Sequence, residues 1–189
     1  MAPASRAGTK SFRLFVAVDV PEEIRWAVAS AVGPLRDEFP SGRWVPIENQ
    51  HVTLKFLGAT RPGLMDRVTE AVEGVALAAA PFSMRVDGLG AFPNERRARV
   101  LWAGLDDPDG RLIELAGALD GALRRDFPPE QRAFTPHLTV ARFEPQVRLG
   151  ELAALTTDPF EVDRLTLFRS HLRRPAPVYE ALAMFLLGG

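Results

Sequence analysis

One short pattern occurs twice in this chain, and few folds can use it twice. Residues 51–58 read HVTLKFLG and residues 137–144 read HLTVARFE, starting 86 positions apart. Each begins with a histidine and continues apolar–threonine–apolar, the alternation of a half-buried strand. Successive strand residues point to opposite faces, so His51 and Thr53 share one face, and His137 and Thr139 share another. Val52, Leu54, Leu138 and Val140 turn toward a core. Only three histidines exist, and two of them carry this pattern. The third, His171 in SHLRR, has no partner pattern and reads as a surface residue.

The surrounding elements are legible from periodicity and punctuation. SFRLFVAVDV (11–20) is a buried strand, and Pro21 opens a helix whose inner stripe is Ile24, Val28, Ala31 and Leu35. Residues 39–50 form a loop rich in Pro, Gly and Asn. A second helix covers about 63–79, with Leu64, Val68, Val72 and Val75 inward. Strands are expected at 82–89 and 98–105, joined by a loop or hairpin tip in AFPNERR. Asp109 is positioned to cap a third helix carrying Leu112, Leu115, Leu119 and Leu123. The second histidine strand spans about 134–143. A short helix near 148–155 and closing strands at 160–170 and 177–187 complete the chain. Such mixing predicts an α+β fold with largely antiparallel sheets flanked by helices. Two similar lobes, each contributing one histidine to a shared cleft, form a single bilobed domain over 11–189. Residues 1–10 precede it as a flexible arm.

Composition narrows the chemistry. The chain of 189 residues has no cysteine, which excludes thiolate catalysis, disulfides and cysteine-based zinc sites. Its net charge is −1, so a nucleic acid must be gripped locally rather than by a global positive field. Of 23 basic residues only Lys10 and Lys55 are lysine. The remaining arginines offer planar forks suited to phosphate oxygens. The apolar run LFVAV is too short for a signal peptide or a membrane span, and the expected setting is cytoplasmic. No HExxH and no GxxxxGK[ST] occurs, so no metal and no nucleotide cofactor is expected.

Two imidazoles and two hydroxyls facing one cleft form a set of parts with a definite use. One histidine can take a proton while the other gives one. The hydroxyls can donate to phosphate oxygens that gain charge as a fifth oxygen approaches phosphorus. This suits in-line displacement at phosphorus without a metal.

On these residues the sequence resembles the two-histidine phosphoesterase superfamily, and more narrowly the bacterial RNA 2′,3′-cyclic phosphodiesterases, also known as 2′-5′ RNA ligases. The likeness is carried by RWVPIENQHVTLKFLG (43–58), GLGAFPNERRARVLWAGL (88–105), FTPHLTVARF (134–143) and LFRSHLRRPAPVYEALAMF (167–185). It implies two α+β lobes related by a pseudo-twofold axis. It implies His51 as proton donor to the leaving ribose oxygen and His137 as acceptor from the attacking water, a direction the nearly symmetric motifs leave open. It further implies Arg142 as phosphate ligand and Phe56 as a platform for the terminal base. Regular alternation points both of these away from the histidines, so a bulge or a long reach must bring them round. The implied substrates are RNA ends bearing a 2′,3′-cyclic phosphate, hydrolysed to a 2′-phosphate by a monomer needing no protein partner. ATP-independent 2′-5′ ligation uses the same parts. Small cyclic phosphates, 2′-5′ oligonucleotides and a non-catalytic RNA-end-binding module are the alternatives.

Softer candidates remain. Arg96, Arg97 and Arg99 could guide an RNA backbone or form an exposed charged tip. Trp44 and Trp102 could stack on bases, though core packing is the expectation. Ser170 and Tyr179 match family positions and are expected to be structural.

Overall fold

The computed structural model describes residues 11–174 and 176–188; the proposed arm at 1–10 lies outside the described residues. Among the described residues nine strands form two antiparallel sheets. The first has the order β3-β1-β8-β9, from β1 (Phe12–Asp19), β3 (His51–Thr60), β8 (Arg164–His171) and β9 (Val178–Leu186). The second has the order β2-β6-β5-β4-β7. It is built from β2 (Arg43–Trp44), β4 (Phe82–Phe92), β5 (Ala98–Asp106), β6 (His137–Val147) and β7 (Phe160–Val162). Four α-helices among the described residues accompany them: α1 (Glu22–Ala31), α2 (Gly33–Glu38), α3 (Met65–Leu77) and α4 (Arg111–Leu123). The α+β class and the paired sheets follow the sequence reading.

One continuous core runs under both sheets. The inward residues of the histidine strands, Val52, Leu54, Leu138 and Val140, are all buried in it. Burying each such side chain fully is worth about 1.5–3 kcal/mol. Helix α3 uses the expected stripe of Val68, Val72 and Val75, and α4 uses Leu112, Leu115, Leu119 and Leu123. No helix among the described residues is long and apolar enough to cross a membrane.

Five local expectations need correction. The first helix is two, because Gly33 and Pro34 start a new first turn after Val32. Helix α4 is capped by Asp107, whose Oδ2 accepts from the Leu112 N–H at 2.7 Å, with Gly110 at φ 70° making the entry turn; Asp109 takes no part. Residues 148–155 are not helical. Their backbone serves β4 instead: the Gly88 N–H donates to the Leu155 carbonyl, and the Thr157 N–H donates to that of Val86. The segment 160–170 is broken at Asp163, with β7 joining the second sheet and β8 the first. Finally, the matching order of elements would put a helix and two strands after each histidine strand, but among the described residues no helix follows β6, and the repeated unit precedes each histidine. It is strand, helix, histidine strand: β1-α1-β3 and β5-α4-β6.

Candidate active site

The register shows how closely the two units agree. In the first sheet Asp19 faces His51, Ala17 faces Thr53, Val16 faces Lys55 and Phe15 faces Phe56. In the second Gly104 faces His137, Trp102 faces Thr139, Leu101 faces Ala141 and Val100 faces Arg142. Leu54 and Val140, each three residues past its histidine, have no residue opposite. Each is a one-residue bulge, and an extra residue reverses the alternation beyond it. Phe56 and Arg142 therefore swing onto the face of the histidines, and Lys55 turns inward. The backbone at the second bulge is satisfied, since the Val140 carbonyl accepts from the Val45 N–H at 2.8 Å.

A cleft of about 1230 Å³ opens between the sheets, lined by His51, Thr53, Phe56, His137, Thr139 and Arg142 among others. All six sequence candidates thus meet in one cavity. Both imidazoles are held the same way. His51 Nδ1 donates to the Asn49 carbonyl at 2.8 Å, and His137 Nδ1 donates to the Thr135 carbonyl at 2.7 Å. Each carbonyl lies two residues upstream, so both rings keep the proton on Nδ1 and offer Nε2. The Thr53 hydroxyl donates to His51 Nε2 at 3.0 Å.

The rings differ in their surroundings. His51 stacks on Phe15 at 4.7 Å between centroids and meets the edge of Tyr179 at 5.2 Å. Burial lowers its pKa to about 4, opposed by the Asn49 hydrogen bond and by the Asp19 carboxylate. His137 stands edge-on to Phe92 at 5.3 Å. Its pKa is lowered by burial, raised by the Thr135 bond and lowered again by the Arg142 guanidinium. The position matching Asp19 is Gly104, which has no room for a side chain: a Cβ there would lie 2.4 Å from the Asp87 carbonyl oxygen.

Phe56 is 60% exposed and is not a core residue. Among the described residues no carboxylate lies within 4.0 Å of Arg142. Arg99 lines the cleft, whereas Arg96 and Arg97 are exposed beside it without lining it. Trp44 packs edge-on to Phe143 and donates to the Phe39 carbonyl, and Trp102 packs against Phe92. His171 pairs with Glu180 at 2.7 Å. Ser170 and Tyr179, expected to be structural, line the cleft instead. The sequence reading missed Asp19, the two carbonyls and the Phe15 wall. The signal for Asp19 was an acidic residue closing a buried apolar strand.

Two antiparallel sheets thus bring matching histidine–threonine strands to one cleft, the arrangement on which the resemblance to two-histidine proteins rests. The chain belongs to the 2′-5′ RNA ligase superfamily, whose model matches residues 21–174. It is 34% identical over 188 residues to the RNA 2′,3′-cyclic phosphodiesterase of Geobacillus stearothermophilus, covering 95% of this chain but 59% of the relative. It is 33% identical over 183 residues to that of Methanothermobacter thermautotrophicus, covering 93% of this chain and 98% of the relative. Among solved structures, TT0787 of Thermus thermophilus superposes with a TM-score of 0.82 at 31% identity, covering 94% and 98% of the two chains. E. coli LigT complexed with NADP+ gives 0.77 at 26% identity, covering 95% and 99%.

Proposed function

We propose that the protein is a metal-independent hydrolase that opens a 2′,3′-cyclic phosphate at an RNA end. His137 takes a proton from water as the water oxygen attacks phosphorus in line with the 3′ oxygen. The bond from phosphorus to that oxygen breaks, and its electron pair leaves with the oxygen, which takes a proton from His51. The product is a 2′-phosphate beside a free 3′-hydroxyl. Thr53, Thr139 and Arg142 hold the non-bridging oxygens as they gain charge, and Phe56 stacks on the terminal base. Residues 11–189 act as one bilobed domain and as a monomer.

The observation that carries this reading is the shared tautomer: both imidazoles are locked through Nδ1 to a carbonyl two residues back, with Nε2 toward one cleft. The fixed charges support the direction of proton flow. Asp19 beside His51 favours the imidazolium an acid requires, and Arg142 beside His137 favours the neutral ring a base requires. Bound phosphate would add its own negative charge in favour of the proton on His51. Both relatives named above are called RNA 2′,3′-cyclic phosphodiesterases, and E. coli LigT has been crystallised with 3′-AMP and with phosphate.

If a 5′-hydroxyl of RNA replaces water, the same displacement leaves a 2′-5′ phosphodiester, the bond named in the superfamily's description. Water is far more abundant, so hydrolysis dominates.

The deciding experiment is incubation with RNA ending in a 2′,3′-cyclic phosphate, in EDTA, followed by identification of the product phosphate. A 2′-phosphate formed in EDTA is expected. A 3′-phosphate would reverse the leaving oxygen, and turnover only after metal is added would overturn the mechanism.

A further inference from the structure

We propose that Arg13, Ser170 and Tyr179 form a second anion site in the cleft, which holds the phosphodiester on the 5′ side of the terminal nucleotide. This rests on the cyclic phosphodiesterase reading and narrows its substrate to an RNA end of at least two nucleotides, rather than a cyclic mononucleotide.

The three residues stand on adjacent strands in one row. Arg13 on β1 faces Ser170 on β8, and Ser170 faces Tyr179 on β9. Residues opposite one another in antiparallel strands project on the same face, and all three line the cleft. The row adjoins the proposed base platform. Arg13 lies two residues from Phe15, about 7 Å along the strand on the same face, and the Phe15 and Phe56 rings are 6.0 Å apart.

Tyr179 joins this row to the reacting centre. Its ring meets Phe15 edge-on at 5.0 Å and His51 at 5.2 Å. Burial raises the pKa of its phenol, while Arg142 and then Arg13 draw it down, so both guanidinium groups act on that hydroxyl. Tyr179 therefore stands in the fields of two arginines, one assigned to the reacting phosphate and one not yet assigned.

Arg13 also differs from the arginines held in ion pairs. Arg43, Arg67, Arg85, Arg111 and Arg164 each pair with a carboxylate. Among the described residues Arg13 does not. An unneutralised guanidinium on a cleft wall attracts anions, and a fork with two flanking hydroxyls matches the oxygens of a phosphodiester. Space is available as well. The cleft volume of about 1230 Å³ exceeds the roughly 300–1,000 Å³ typical of small-ligand pockets.

The test compares adenosine 2′,3′-cyclic phosphate with the dinucleotide ApA bearing the same cyclic end. Wild-type protein should prefer the dinucleotide in kcat/KM, and Arg13→Gln should reduce that preference about tenfold. Arg124→Gln, which removes an exposed charge at the end of α4 away from the cleft lining, should leave the preference within twofold. A preference unchanged by Arg13→Gln, or reduced equally by Arg124→Gln, would overturn the site. A binding arm reads it without turnover: adenosine 2′,5′-bisphosphate should bind wild type about tenfold tighter than adenosine 2′-phosphate. That gain should vanish in Arg13→Gln; a gain that persists would overturn the proposal. Wild-type protein that hydrolyses neither cyclic substrate would instead refute the parent reading, and the binding arm would still decide the second site.

Discussion

Phe56 and Arg142 occupy the same place in two related walls: each stands five residues after a histidine and reaches the cleft through a bulge three residues after it. One wall thereby presents an aromatic ring and the other a guanidinium. The two substitutions should separate accordingly. Phe56→Ala should raise KM with kcat nearly unchanged, by the roughly 1–3 kcal/mol of a lost stacking contact. Arg142→Ala should lower kcat by about 10²–10³-fold, the usual cost of removing a donor to a charge that develops in the transition state. Steady-state kinetics on a cyclic-phosphate-terminated RNA would check both.

His51→Ala and His137→Ala should each lose about 10²–10⁴-fold in turnover. Both rings lie at the cleft rather than in the packed interior, so the variants should stay folded by circular dichroism. A folded His137→Ala protein that keeps more than about a tenth of the rate would refute its role as base.

The pH dependence follows from the two lowered pKa values. With His51 near 4 and His137 below its ordinary 6.5, the kcat/KM profile of the free protein should peak on the acid side of pH 6.5. Substrate anion favours the imidazolium, so the kcat profile should lie at higher pH. Asp19→Asn removes a charge that supports the protonated ring, and should move the His51 limb downward. A kcat/KM maximum above pH 7 would contradict this.

Stability should carry the same signature. His51 has a pKa of about 4 when folded and near 6.5 when unfolded, so the unfolded chain binds more protons between those values. The contribution is complete above pH 6.5 and is lost as pH falls toward 4, on the order of 3 kcal/mol. His137 acts in the same direction. Urea unfolding across this window should show a shallower pH slope in His51→Gln than in wild type.

The bulge at Leu54 also turns Lys55 inward, where it is 2% exposed. Its ammonium pairs with Asp120 of α4 at 2.5 Å and donates to the Pro128 carbonyl at 2.8 Å. Asp120→Ala should therefore cost about 3–5 kcal/mol, because it strands a buried charge, and Lys55→Met should cost less. Chemical denaturation of the two variants would measure the difference.

Much of this was legible in the residues. The histidine strands, the stripes of α3 and α4 and the pairing of His51 with Thr53 follow from local alternation, which the chain obeys wherever one face is buried. What alternation could not locate was a break in itself: nothing in HVTLKF or HLTVAR marks Leu54 or Val140 as the extra residue. The Asp163 break and the non-helical 148–155 segment were hidden for a related reason. Both depend on backbone partners in β4 or in the opposite sheet, remote in sequence. Ser170 and Tyr179 looked structural because their cleft face is set by the pairing of β8 with β1, at the far end of the chain, and of β9 with β8.

The break at Asp163 also ties the two walls of the cleft together. On one side of it β7 closes the edge of the sheet that holds His137, and on the other β8 pairs with β1 in the sheet that holds His51. The backbone of a single residue thus hinges the wall of one histidine to the wall of the other.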